Sequence, residues 1–151
     1  MLRTRISDAL KTAMKSKQTH TVSTVRLIMA ALKDRDIAAR SKGNSEGISE
    51  DEILSMLQSM IKQRRESVEM YEKGGRAELA EQEASEIGII QTFLPEQMDD
   101  AALNAAVAEI VKEAEATSLK DMGKVMGLLK ERYAGEMDFS KASAQVKNQL
   151  A

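Results

Sequence analysis

The chain has 151 residues, 42% of them apolar and 3% aromatic, with one proline, no cysteine and a formal net charge of -2. That length is enough for a packed core in one domain or two small ones, and an apolar set drawn from Leu, Ile, Met, Ala and Val predicts an all-α fold. The lack of cysteine excludes a disulfide framework, a thiolate zinc site and a cysteine nucleophile, and makes a reducing, cytoplasmic location the expectation.

No apolar run approaches the length of a membrane span and no signal-peptide core is present, so no membrane partner is expected. The small net charge conceals a dipolar chain. Residues 1–42 hold ten Lys/Arg against three Asp/Glu, a net of +7, and residues 43–100 hold five against fourteen, a net of -9. Either the basic third attracts a polyanion locally, or the two segments neutralise one another across a bundle.

The first predicted helix spans about Leu2–Lys17 and places Leu2, Ile6, Leu10, Ala13 and Met14 on one stripe. It is basic enough to resemble a transit peptide, yet the stripe has no aromatic anchor, and it reads as an ordinary bundle helix. The second runs about Thr21–Ala39 and buries Val22, Val25, Ile28, Met29 and Leu32. His20, the only histidine, falls in the link between them and reads as solvated. Residues 40–47 contain two glycines and no apolar side chain, which predicts a mobile loop.

Ser49 and Glu52 form a capping box opening a third helix to about Lys73, with Ile53, Leu57, Met60, Ile61, Val68 and Tyr71 inward. Its charges are spaced for i,i+4 pairing along its own surface, as in Lys62 with Glu66 and Arg65 with Glu69. Gly74-Gly75 ends it. A fourth, acidic helix, about Arg76–Thr92, turns Leu79, Ile87, Ile90 and Phe93 inward and stops before Pro95, the only proline. A four-helix N-terminal domain, residues 1–94, and a small three-helix C-terminal domain, residues 95–151, are therefore expected. Asp99-Asp100 opens the fifth helix, and Asp138 caps a last short one.

Between these two lies Ser118–Tyr133, which has two unlike faces. Met122, Val125, Met126, Leu129 and Tyr133 share one stripe, while Gly123 and Gly127 lie one turn apart on the other with Lys120, Lys124 and Lys130 around them. Each helical glycine costs roughly 1 kcal/mol relative to alanine. A helix weakened in this way on its outer face leaves its backbone bare for close approach. The approaching body is a phosphate backbone, another protein, or a neighbouring part of the same chain.

No nucleophile with an adjacent base, metal cluster or phosphate-cradling loop is visible, so no catalytic residue, no metal and no cofactor is expected. The acids of the fourth helix read as a solvated face.

From Tyr71-Glu-Lys-Gly-Gly-Arg76 through Gln91-Thr-Phe-Leu-Pro95, and again at Asp121-Met-Gly-Lys-Val-Met-Gly127, the sequence resembles the YqeY-like family. Phe93 departs from that pattern, where tyrosine is the more usual residue. The resemblance implies a helical N-terminal domain joined to a three-helix domain similar to the tail of the B subunit of bacterial tRNA-dependent amidotransferase. It makes Gly123, Lys124 and Gly127 candidate tRNA contacts, with Lys120 and Lys130 as flanking charges. It also carries the label of a carbon-nitrogen ligase using glutamine as nitrogen donor, although no residues for that chemistry are recognisable here.

The resulting expectation is a non-catalytic module that binds tRNA or another structured RNA through the Gly123–Lys130 face, not DNA, and assists a tRNA-modifying enzyme. The alternative is a helical protein-interaction adaptor whose glycine face receives a partner helix.

Overall fold

Seven α-helices and one short 3-10 turn account for the regular structure, and there is no strand. The computed structural model describes residues 1–151. In chain order the helices are α1 (Leu2–Lys15), α2 (Thr19–Ser41), α3 (Glu50–Lys73), α4 (Ala77–Gln91), α5 (Asp100–Glu113), α6 (Met122–Arg132) and α7 (Phe139–Leu150), with the 3-10 turn at Leu119–Asp121. The chain separates into two compact units, Met1–Pro95 and Glu96–Ala151. Each has its own buried core.

In the first unit, Leu2 and Ile6 of α1, Val25, Ile28 and Leu32 of α2, Ile53, Met56, Leu57 and Ile61 of α3, and Ile90 of α4 are buried together. The apolar spacing of each helix explains this, since residues three and four apart share a face. The stripe drawn for α1 is too wide, because Met14 is 52% exposed, and Met29 and Leu79 are likewise exposed rather than inward. Helix α1 is nonetheless a core element, with Leu2, Ile6 and Ala13 buried.

Several local features differ from expectation. Helix α1 ends at Lys15, where Lys17 takes φ 55, and α2 begins at Thr19, so His20 lies within its first turn. The His20 Nε2 atom is buried without a hydrogen-bond partner rather than solvated. Helix α2 runs to Ser41, and the segment after it is stitched down rather than loose. The Asn44 side chain donates to the Gly47 carbonyl (2.9 Å) and accepts from the Glu46 N–H (3.1 Å).

Arg3 of α1 grips Asp36 of α2 through two nitrogens, at 2.7 and 2.8 Å, and also donates to the Ile48 carbonyl at 3.0 Å. The Ile48 N–H donates back to Asp36 at 2.9 Å, so three segments meet at one carboxylate. The bidentate Arg3 bond, followed by the Ile48 N–H, holds the Asp36 carboxyl at about 2.

The capping box is present, with Glu52 N–H to Ser49 Oγ at 3.2 Å and Ser49 N–H to Glu52 Oε1 at 3.3 Å. The expected i,i+4 pairs along α3 do not form. Instead Arg64 reaches across to α4, its Nε 3.2 Å from Glu86 and 4.0 Å from Glu83. All three side chains are at least three-quarters buried, and the Arg64 Nε–H donates no aligned hydrogen bond, so the group is held by charge. Helix α4 tightens at its end into i→i+3 bonds, Thr92 to Ile89, Phe93 to Ile90 and Leu94 to Gln91, immediately before Pro95. The Phe93 ring is buried, with the Arg5 guanidinium 6.0 Å from its centre.

The two charge-biased segments barely neutralise one another. Between residues 1–42 and 43–100 there is a single ion pair, from the N-terminal ammonium to Glu50 at 2.9 Å. No helix is long and apolar enough to cross a membrane.

Candidate functional site

In the second unit, Val107 and Ile110 of α5, Val125 and Leu129 of α6, and Ala142 and Val146 of α7 are fully or almost fully buried. The core also takes in Met137, from the irregular segment between α6 and α7, where no helical period marks it in the sequence. Asp138 caps α7 by accepting from the Ser140 N–H at 3.0 Å. The segment before α5 is tied to the α6–α7 connection by the Met98 N–H, which donates to the Glu136 carbonyl at 2.8 Å.

The glycine-bearing stretch is not one continuous helix. Asp121 accepts from the Thr117 N–H (3.0 Å) and the Ser118 N–H (3.3 Å), which sets a 3-10 turn before α6 opens at Met122. Those two donors, Thr117 first, hold the Asp121 carboxyl below the usual aspartate value. The inward stripe is as expected, with Val125 and Leu129 fully buried and Met122, Met126 and Tyr133 packed against them.

The outer face carries Gly123 and Gly127, both exposed, and a Cβ added to either would meet nothing within 4 Å. No other part of the second unit packs onto them, so within that unit they do not serve to admit a neighbouring segment.

The three lysines separate. Lys120 and Lys130 are exposed and make no hydrogen bond or ion pair. Lys124 is committed, its ammonium 3.3 Å from the carbonyl oxygen of Ala114, the residue that closes α5. Arg132 also reaches this turn, pairing with Glu113 through both guanidinium nitrogens. That pairing lowers the Glu113 carboxyl and raises Arg132. The face is also less basic than the lysines suggest, because Glu131 stands exposed one turn beyond Gly127. On its other side Leu119, 48% exposed, stands one turn before Gly123. Of the two, Glu131 was legible as the i,i+4 neighbour of Gly127, whereas Leu119 lies in the 3-10 turn before α6.

Nothing in this arrangement forms a group of three or more acids and histidines able to hold a metal. What it can do is receive a second surface at close range, with two free ammonium groups beside a backbone that has no side chains over it.

The fold and this face define a two-unit, all-helical protein with a bare glycine helix in its C-terminal unit. Residues 3–150 match the family described as Yqey-like protein, and the chain belongs to that family. Among curated proteins it is similar to the "Altered inheritance of mitochondria protein 41, mitochondrial" of Lachancea thermotolerans, 31% identical over 121 residues that cover 76% of this chain and 63% of that one. Its counterpart of the same name in Eremothecium gossypii is 29% identical over 82% of this chain and 62% of the relative. The one in Pyrenophora tritici-repentis is 26% identical over 94% and 78%. The chain thus spans about 63% of the length of the first of these relatives.

These names correct the expected cytoplasmic location, since the relatives are called mitochondrial proteins. The physical premise was too weak to choose. Absence of cysteine removes disulfides, which is compatible with any compartment.

Proposed function

We propose that the protein is a non-catalytic helical module that binds tRNA or another structured RNA through the outer face of α6, as an accessory to a tRNA-modifying enzyme such as the tRNA-dependent amidotransferase. The observation that carries this reading is the open space over Gly123 and Gly127 with Lys120 and Lys130 unpaired beside it. A sugar-phosphate backbone can lie against a helix that presents no side chains, and lysines contribute shape-tolerant phosphate contacts rather than base readout. The mitochondrial names of the relatives make an organellar tRNA pool the natural source of the ligand.

The test is an anisotropy titration of the full chain with total tRNA at several salt concentrations. The Lys120→Glu/Lys130→Glu double variant should bind more weakly across RNAs, and its salt slope should fall by about two. Binding that ignored both salt and the double variant would remove RNA from this face.

The second reading, a protein-interaction adaptor, is favoured by the exposure of Leu119 beside Gly123 and by Glu131, both of which suit a protein partner better than a phosphate. Under it, Leu119→Ser abolishes recovery of the tRNA-modifying enzyme while tRNA affinity stays unchanged.

A further inference from the structure

The solvent side of α2 has a pattern that its role in the core does not require. Val25, Ile28 and Leu32 face inward, whereas Leu27, Ala30, Asp34 and Ile37 are all exposed on the opposite side. Their spacing alternates three and four residues, which is the repeat of a seam that packs against a second helix. Leu27 is 48% and Ile37 50% exposed, and it is their place in this repeat, beside a row of cations, that gives them weight rather than their exposure alone.

Immediately before each seam position of one kind stands a cation: Arg26 before Leu27, Lys33 before Asp34 and Arg40 before Ser41. The three are seven residues apart and all exposed, so they form one row about 21 Å long beside the seam. None of the three makes a hydrogen bond or ion pair, and the charge of Arg40 adds a minor share to the lowering of the Asp36 carboxyl one turn before it. The acid-rich α3 and α4 do not reach them. On the other side of the seam Ala38 is exposed and small, while Ala31 already packs against the core.

We propose that this face of α2 docks an amphipathic helix of another protein, one with aliphatic residues along its seam and glutamate or aspartate along the flank that meets Arg26, Lys33 and Arg40. The row of unpaired cations sets the sign of the partner's charge, and the seam sets its periodicity. Asp34 at the middle of the seam opposes a lipid surface, where its carboxylate would be driven into hydrocarbon, and requires a polar or basic residue at the one position of the partner helix that faces it. Leu27 and Ile37 oppose a nucleic-acid backbone, to which exposed aliphatic side chains offer nothing. The surface lies in the first unit and is independent of the α6 face.

The probes are two synthetic heptad peptides whose leucine seams carry one asparagine to face Asp34, one flanked by glutamate and one by lysine, titrated with the full chain at neutral pH by anisotropy. The chain should bind the glutamate peptide and not the lysine peptide. In Arg26→Glu/Lys33→Glu/Arg40→Glu the glutamate peptide should weaken by about tenfold or more and the lysine peptide should now bind, a gain that a misfolded variant could not show. Ile37→Asp should weaken the glutamate peptide. Failure of the intact chain to bind the glutamate peptide, or equal binding of both peptides, overturns the proposal. So does loss of tRNA or of anionic phosphatidylglycerol vesicles, rather than of the peptide, in the triple variant.

Discussion

The ammonium of Lys124 lies 3.3 Å from the main-chain carbonyl oxygen of Ala114, so a lysine on the glycine face closes the end of α5. A cation at a helix C-terminus satisfies a carbonyl that has no partner in its own helix and complements the helix dipole. Lys124→Met should therefore lower the stability of the second unit by about 0.5–1 kcal/mol. Lys120→Glu and Lys130→Glu, whose ammonium groups touch nothing, should stay within about 0.5 kcal/mol of the parent. Urea unfolding separates them, and equal midpoints for Lys124→Met and the parent would show that the cap contributes nothing. A binding defect in a Lys124 variant has to be read together with that loss of stability.

Glycine substitutions should split by sign. A Cβ on Gly123 or Gly127 meets open space, so Gly123→Ala and Gly127→Ala should each stabilise the fold by about 0.5–1 kcal/mol through helix propensity. If the face binds RNA through its backbone, both should weaken that binding. Gly88→Ala in α4, equally open, should stabilise without touching binding. Gly47→Ala should do the reverse, because Gly47 has φ +91 and its Cβ would sit 2.7 Å from Asp36 and 2.8 Å from Arg3. Its cost is about 1–3 kcal/mol. Thermal melts of the four variants check the order, and destabilisation by Gly127→Ala would return the glycines to a packing role.

Acid should weaken the first unit through Asp36. Its folded carboxyl titrates at about 2, below the ordinary value near 4, so its contribution is complete above about pH 4 and is lost as the pH falls toward 2. With Arg3 and Asp36 both partly open to solvent, that contribution is about 1–2 kcal/mol. Asp36→Asn should unfold in less urea at pH 7 and show a shallower dependence between pH 4 and 2. A variant as acid-sensitive as the parent would place the titrating group elsewhere.

Arg64 should prove more important to α3 and α4 than its neighbours. Removing it leaves Glu83 and Glu86, at 24% and 12% side-chain exposure, without their counter-ion. Arg64→Met should cost about 1–3 kcal/mol, whereas Arg65→Met should cost less than about 0.5. Arg64→Met/Glu86→Gln should recover part of the loss, a coupling that a double-mutant cycle measures. Strict additivity would show that the two side chains do not interact.

What the sequence determined by itself is what repeats at helical spacing or is written in local chemistry. All seven helices were legible, from the apolar period of Val25, Ile28 and Leu32, from the Ser49–Glu52 capping box, and from the stops at Gly74-Gly75 and Pro95. So was the two-faced character of Met122–Arg132, with Val125 and Leu129 inward. The tertiary structure decided everything that depends on which distant groups meet. It turned Arg64 from a surface charge into the counter-ion of α4, brought Arg3, Asp36 and Ile48 to one point, and placed Met137 in a core that no period announces. It showed that nothing in the second unit covers Gly123 and Gly127, and it withdrew Lys124 from the free charges of their face by setting it against Ala114. Local spacing encodes which face of a helix is inward, because that is a property of 3.6 residues per turn. It does not encode what stands opposite the outward face, because that depends on contacts between residues far apart in the chain.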